Sequence, residues 1–286
     1  METLVTFNSD GFALEGDLEV PPSAARRKPA IIILHDFGGH RDGPQQRWSQ
    51  AFYSQLGYAT LRFDFRGCGD SQGKRAFVLP HDHVADTRNA VTFMTNRPDI
   101  DPARIAVSGT NLGACVGVYA AGLDPRIAAV IAQGGWANGE HMFRAIHRTP
   151  AAWDKFVTPI LRGRQRKLAE VLVRMHRFDL IPIPVRLRLN IDARTIMEFP
   201  VEVGLEMLAF NPGELAARIA PRPLLLLHSA KDDVIAVDGS YEMFRAAGAH
   251  GDLHIIGGVD HFMFSEDDRR VADIVRNWLA RSFPVE

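Results

Sequence analysis

The chain has 286 residues, of which 46% are hydrophobic and 23% charged, with a formal net charge of −1. That balance excludes a disordered chain, a collagen and a coiled coil, and it gives no global field for nucleic acid or an anionic membrane. Two cysteines, Cys68 and Cys115, make no disulfide framework, so a reducing compartment is expected.

The opening residues METLVTFNSDGF have neither the basic nor the apolar region of a signal peptide. No apolar run reaches the ~18–20 residues of a membrane span. The sequence therefore predicts a cytoplasmic protein. In chain order, residues 2–8 and 12–20 read as strands around a turn at Ser9-Asp10-Gly11. Pro29 to Leu34 is a short β-branched run of the kind buried on both faces of a parallel sheet. A helix from near Gln46 to Leu56 leads to a second such run, Tyr58 to Phe65. Val84 to Asn96 has apolar residues at helical spacing and stops before Pro98. Ile105 to Val107 is a strand, Leu112 to Ala121 a helix of small residues, and Ala128 to Ala132 a strand. After a long interval come a strand at Leu224 to His228, a helix at Tyr241 to Ala247, a strand at Leu253 to Ile256 and an amphipathic helix at Val271 to Ser282. Strand-helix alternation of this kind predicts an α/β fold, a mostly parallel sheet with helices on both faces.

Residues 138–210 break the rhythm. They hold no clear strand and read as a helical cap subdomain inserted into a core made of residues 1–137 and 211–286. Between positions 144 and 194 twelve Lys and Arg face four Asp and Glu, a local charge of +8. Such a surface suits ion pairs to the acidic core, or a pocket for an anionic substrate. Without aromatic-basic interleaving it does not suit nucleic acid. The expected partner is a small molecule, an anion being compatible, with no nucleic acid and no membrane; a homodimer is also compatible.

Chemistry concentrates where predicted strands end. Gly109-Thr110-Asn111-Leu112-Gly113 joins a strand to a small-residue helix. His35-Asp36-Phe37-Gly38-Gly39 follows an earlier strand, and Phe63-Asp64-Phe65-Arg66-Gly67-Cys68-Gly69-Asp70-Ser71 another. Asp101-Pro102-Ala103-Arg104-Ile105 leads into the strand before the turn. Asp232-Asp233-Val234-Ile235 and Gly257-Gly258-Val259-Asp260-His261-Phe262 come later, in that order. Together these segments resemble the α/β-hydrolase family of esterases, lipases and dienelactone-hydrolase-like enzymes, over nearly the whole chain. The resemblance implies a nucleophile elbow at Gly109–Gly113 and His261 as base. It implies Asp232 as the orienting acid, with Asp233 as the alternative. It also implies an oxyanion hole from the backbone N–H groups of Phe37 and Leu112.

The elbow departs from the pattern at its centre. The nucleophile position holds Asn111, whose amide nitrogen is conjugated to its own carbonyl and is a poor nucleophile. Asn does tolerate the positive φ that the turn requires. Ser108 and Thr110 should face elsewhere, and Cys115 reads as a small core residue. Asp36 stands where this loop usually has glycine. Trp136 and Phe262 are candidate substrate contacts, Trp136 serving equally as cover for the core. His81-Asp82-His83 reads as a loop before a helix rather than a metal site. No P-loop or dinucleotide fingerprint follows Gly38-Gly39, so neither cofactor nor metal is expected.

Two function classes follow. The first is an enzyme acting on a small carbonyl compound, an ester, lactone or 1,3-dicarbonyl, as hydrolase, lyase or cyclase. In it His261 and Asp232 serve as base and orienter, and Asn111 positions substrate or water. The second is a pseudoenzyme that keeps the fold to bind a ligand or partner. A laboratory replacement of Ser or Asp by Asn111 is the remaining reading.

Overall fold

The computed structural model describes residues 2–22, 27–167, 173–263 and 268–286, without the side chains of 164–167. Ten strands are described: β1 (Glu2–Ser9), β2 (Phe12–Glu19), β3 (Lys28–Leu34), β4 (Ala59–Phe63), β5 (Ile100–Thr110), β6 (Ile127–Gln133), β7 (Arg174–His176), β8 (Glu198–Pro200), β9 (Leu224–Ser229) and β10 (Gly251–Ile256). The described helices are α1 (Pro44–Gln55), α2 (Pro80–Thr95), α3 (Leu112–Leu123), α4 (Gly139–Ile146), α5 (Pro150–Lys167), α6 (Arg177–Leu180), α7 (Val201–Ala209), α8 (Gly213–Ala216), α9 (Asp238–Ala247) and α10 (Arg269–Ser282).

Eight strands form one sheet in the order β1-β2-β4-β3-β5-β6-β9-β10. The β1–β2 hairpin and the β2–β4 pair are antiparallel; every pairing from β4 to β10 is parallel. The β-branched run in β3 explains its central place. Ile31 and Ile33 face one layer, with Phe52, Tyr53, Val275 and Trp278, while Ile32 and Leu34 face the other, with Val91 and Val116. Each fully buried Ile contributes about 1.5–3 kcal/mol. Neither side of such a strand tolerates water, which is why it reads as continuous rather than alternating.

Two local expectations differ from the structure. His81, Asp82 and His83 lie in the first turn of α2, not in a loop before it, because Pro80 at the helix start fixes a helical φ. The 138–210 segment does contain strands: β7 and β8 form an antiparallel ribbon, Met175 opposite Phe199. Three residues per strand are too few for a period-2 pattern to show in sequence. The ribbon, with α6 directly after β7, sets Arg177 and Phe199 over the loop that leaves β3.

The parallel strands all point their carboxyl ends to one edge of the sheet. There β3 delivers residues 35–43, β5 the elbow, β9 the Asp232 loop and β10 the His261 loop. In open α/β sheets this is where ligands bind.

Candidate active site

The elbow is built by close approach. A Cβ on Gly109 would lie 2.3 Å from the Gly113 carbonyl carbon, and one on Gly113 would lie 2.5 Å from the His35 carbonyl oxygen. Only glycine fits at either place. Between them Asn111 sits at φ 52°, ψ −117°, leaving β5 and starting α3 in one residue. Its own N–H donates to Gln133 O on β6 (2.8 Å), and its carbonyl accepts from Ala114 N and Cys115 N in the first turn of α3. The side chain therefore projects at the edge of the sheet, half locked by backbone.

Three side chains meet there. Asp232 Oδ2 accepts the Nδ1–H of His261 at 2.7 Å. With Nδ1 as donor, Nε2 of the neutral imidazole is an acceptor, and the Asn111 Nδ2–H donates to it at 3.0 Å. Asn111 Oδ1 turns back to accept the Leu112 N–H at 2.7 Å. The Leu112 N–H and the His261 lone pair thus fix the amide's orientation from both ends. Asp232 is anchored in turn: its Oδ1 accepts from Val234 N and Ile235 N, each at 2.8 Å, and His228 Nε2 stands 3.3 Å from Oδ2. Asp233 points outward and pairs with Arg186, leaving Asp232 as the carboxylate on the imidazole.

Burial and charge tune the pair in opposite directions. For Asp232, burial favours the neutral acid, but His261 and His228 outweigh it and hold the carboxyl well below the usual range. For His261, burial favours the neutral ring, yet Asp232, with help from Asp36 and Asp260, raises its pKa above the ordinary histidine value. The centre is enclosed: Asn111 is 5% and His261 7% exposed.

The 138–210 segment packs on the loop that leaves β3. Arg177 is buried, donates to the Phe37 carbonyl, and reaches within 3.9 Å of Asp36. Its Nε has no partner among the described residues. Phe199 stacks on Phe37 with ring centroids 4.4 Å apart. Arg194 ties the same segment to Asp42 and Asp70 of the core, each at 2.9 Å. A cleft enclosing about 390 Å³, part of it open to solvent, lies beside this contact and is lined by Asp36, His40, Arg177, Asp192 and Phe262 among others. Several basic residues of the segment are in ion pairs as well: Arg144 with Glu140, Lys155 with Asp179, Arg186 with Asp233. Arg164, Arg166 and Lys167 have side chains outside the described residues.

Asn111, His261, Asp232 and the Leu112 N–H are brought together by the fold. Phe37 is adjacent through its loop, and its carbonyl and ring are engaged by Arg177 and Phe199. Phe262 lines the cleft. Trp136 stands apart: it lines a different cavity with Asn138, His141 and Glu242, and its Nε1 is buried without a partner among the described residues. Ser108 Oγ shares a hydrogen bond with Tyr53 (2.9 Å), Thr110 accepts one from Gln46 (3.2 Å), and Cys115 lies against the Trp136 backbone. All three are occupied elsewhere. Arg177 and His228 carry no sequence signal: the first is one arginine among many, the second a histidine inside an apolar strand. Among the described residues no group of three His, Cys, Asp or Glu is arranged to hold a metal. None of the described helices is long and apolar enough to cross a membrane.

Residues 25–268 match the family model described as serine aminopeptidase, S33. Thiohydrolase apmlB of Arthrinium phaeospermum is 35% identical over 124 residues, 43% of this chain and 39% of that protein. Polyketide transferase ATR5 of Stachybotrys chlorohalonatus is 24% identical over 251 residues, 82% of this chain and 81% of that one. The chain matches less than half the length of most of the similar curated proteins. Among solved structures, the α/β hydrolase GrgF from Penicillium sp. sh18 superposes with a TM-score of 0.81 at 22% identity, covering 99% of both chains.

Proposed function

Because the chain belongs to the serine aminopeptidase S33 family, within the α/β-hydrolase superfamily, we propose that it acts on a small carbonyl substrate, an ester, thioester or lactone, with His261 as general base and water in place of a serine hydroxyl. The observation that carries this reading is the unbroken relay from Asp232 through His261 to position 111, at 2.7 and 3.0 Å. A site that only binds has no use for a carboxylate stripped of water and aimed at an imidazole. The thioester arm draws on the similarity to a thiohydrolase.

In this reading the substrate carbonyl displaces Asn111 Oδ1 from the Leu112 N–H, the donor that then carries the developing oxyanion. The amide, released, frees His261 Nε2. A water between Nε2 and the carbonyl carbon loses its proton to His261 as it attacks. Asp232 holds the tautomer and stabilises the imidazolium, which returns the proton to the leaving alcohol or thiol. Water adds across the acyl bond, giving acid and alcohol or thiol. The segment carrying Arg177 and Phe199 must move to admit substrate and then excludes bulk water. With an acidic C–H next to the carbonyl, the same base performs lyase or cyclase chemistry.

The test is turnover on a panel of short-chain thioesters, esters and lactones. His261→Ala should lower kcat/KM by roughly 10²–10⁴, and Asp232→Asn should lower it too by mis-setting the imidazole. Unchanged turnover in His261→Ala overturns the reading. One observation favours the binding class: the Asn111 amide satisfies both the Leu112 N–H and His261, so the resting centre is chemically complete. Absence of turnover across the panel, with a ligand-induced rise in Tm, would establish that class instead.

A further inference from the structure

We propose that position 111 is a self-processing site: the Asn111 amide is hydrolysed by the surrounding centre to aspartate, converting a non-nucleophilic residue into a carboxylate. This rests on the geometry of the centre and not on turnover of any substrate.

The arrangement around Asn111 is the one an amide substrate would need. Its carbonyl oxygen accepts the Leu112 N–H at 2.7 Å, the donor suited to the oxyanion of a tetrahedral intermediate. Its nitrogen, the leaving atom, lies 3.0 Å from His261 Nε2, which is held by Asp232. The reacting carbon is therefore already polarised and oriented, and both catalytic contacts are covalently tethered to it through the fold. Holding a reacting group and its catalyst in place converts a bimolecular encounter into a unimolecular step. Asn111 is 5% exposed, so bulk solvent does not surround the amide.

The step balances. The Asn111 N–H first leaves His261 Nε2 and a water on the face of the amide takes its place; the water oxygen then bonds to Cγ as Nε2 takes the water proton. The Oδ1 oxyanion rests on the Leu112 N–H. The tetrahedral intermediate collapses, the Cγ–Nδ2 bond breaks, and His261 returns the proton to the departing nitrogen. Amide plus water gives carboxylate plus ammonium, with no oxidant or co-reactant. The raised pKa of His261 favours the first transfer, from water to the ring.

The ordinary route of asparagine loss, attack of the following backbone nitrogen on Cγ, is disfavoured here. The Leu112 nitrogen begins α3 and its N–H is directed at Oδ1. That route gives a cyclic imide and then a mixture of aspartate and isoaspartate; direct hydrolysis gives aspartate alone.

The experiment incubates the purified full chain in heavy-oxygen water at neutral pH, with peptide mass analysis over time. Asn111 is expected to become aspartate carrying the heavy oxygen, which dates the conversion to the incubation, with no isoaspartate at that position. His261→Ala should slow it by roughly 10²–10⁴. Asp232→Asn supplies a second variant should the first fail to fold, with slowing expected. Retention of the amide at position 111, isoaspartate there, or an equal rate in the folded variants overturns the proposal. Because the readout is the mass of the protein itself, an inactive panel of substrates would leave this result standing, and the reverse also holds.

Discussion

Replacing Asn111 by serine puts a number on what the amide does. In the resting centre the side chain makes two buried hydrogen bonds, to the Leu112 N–H and to His261 Nε2. In Asn111→Ser the hydroxyl donates to His261 but leaves the Leu112 N–H open, and a buried unsatisfied donor costs about 1–3 kcal/mol. Serine also tolerates φ 52° less well than asparagine, adding on the order of 1 kcal/mol. The variant should therefore be about 2–4 kcal/mol less stable, a fall in Tm of roughly 4–16 °C for a chain of this size. The same open N–H is what acyl chemistry needs, since an oxyanion donor is worth about 2.7–4 kcal/mol in the transition state. Stability lost at position 111 should reappear as activity. Asn111→Ser is expected to hydrolyse nitrophenyl acetate and to be labelled by a fluorophosphonate, with calorimetry showing the lowered Tm. A folded variant of undiminished stability, showing neither activity nor labelling, would refute the placement of the Leu112 N–H and His261 around this position.

The parent protein should resist fluorophosphonate labelling, because Ser108 is engaged by Tyr53 and Thr110 by Gln46; stoichiometric adduct at either residue would contradict that. If turnover depends on neutral His261, its acid limb should lie above the ordinary histidine value of 6.5, since the folded pKa is raised. Asp36→Asn removes one of the charges that raises it, so the limb should move to lower pH; no movement in the pH profile would exclude Asp36 from the electrostatics of the site. His261 with a raised pKa stabilises the fold fully below the unfolded value and loses that contribution as pH climbs through the folded one, whereas Asp232, lowered from 3.8, contributes above 3.8 and loses it as pH falls further. Arg41→Ala should cost about 3–5 kcal/mol in denaturant unfolding, because Asp64, fully buried, would lose its guanidinium partner.

The sequence by itself determined the sheet and the backbone of the site. Runs such as Ala30 to Leu34 and Leu224 to Leu227 fit strands buried on both faces, and they form β3 and β9. Gly109 and Gly113 flank a residue that accepts positive φ, so the turn is written locally, in five positions. Each of these follows from sterics and solvation within a few residues of chain, which a linear reading can weigh. The order of elbow, acid and histidine was legible only through the resemblance to the α/β-hydrolase family, not from local sterics. Tertiary structure alone decided the rest. His261 reaches Asn111 across 150 residues and Arg177 reaches Phe37 across 140, and no periodicity encodes a pairing over such distances. That the amide folds back onto the Leu112 N–H while donating to His261 follows from where β10 ends relative to β5. The three-residue strands of the 138–210 segment were hidden because they are held by the ribbon pairing and by Phe199 on Phe37, not by any propensity of their own. Backbone preference is local and therefore readable; side-chain partnership in a closed site is a property of distance, and distance is set only when the sheet has assembled.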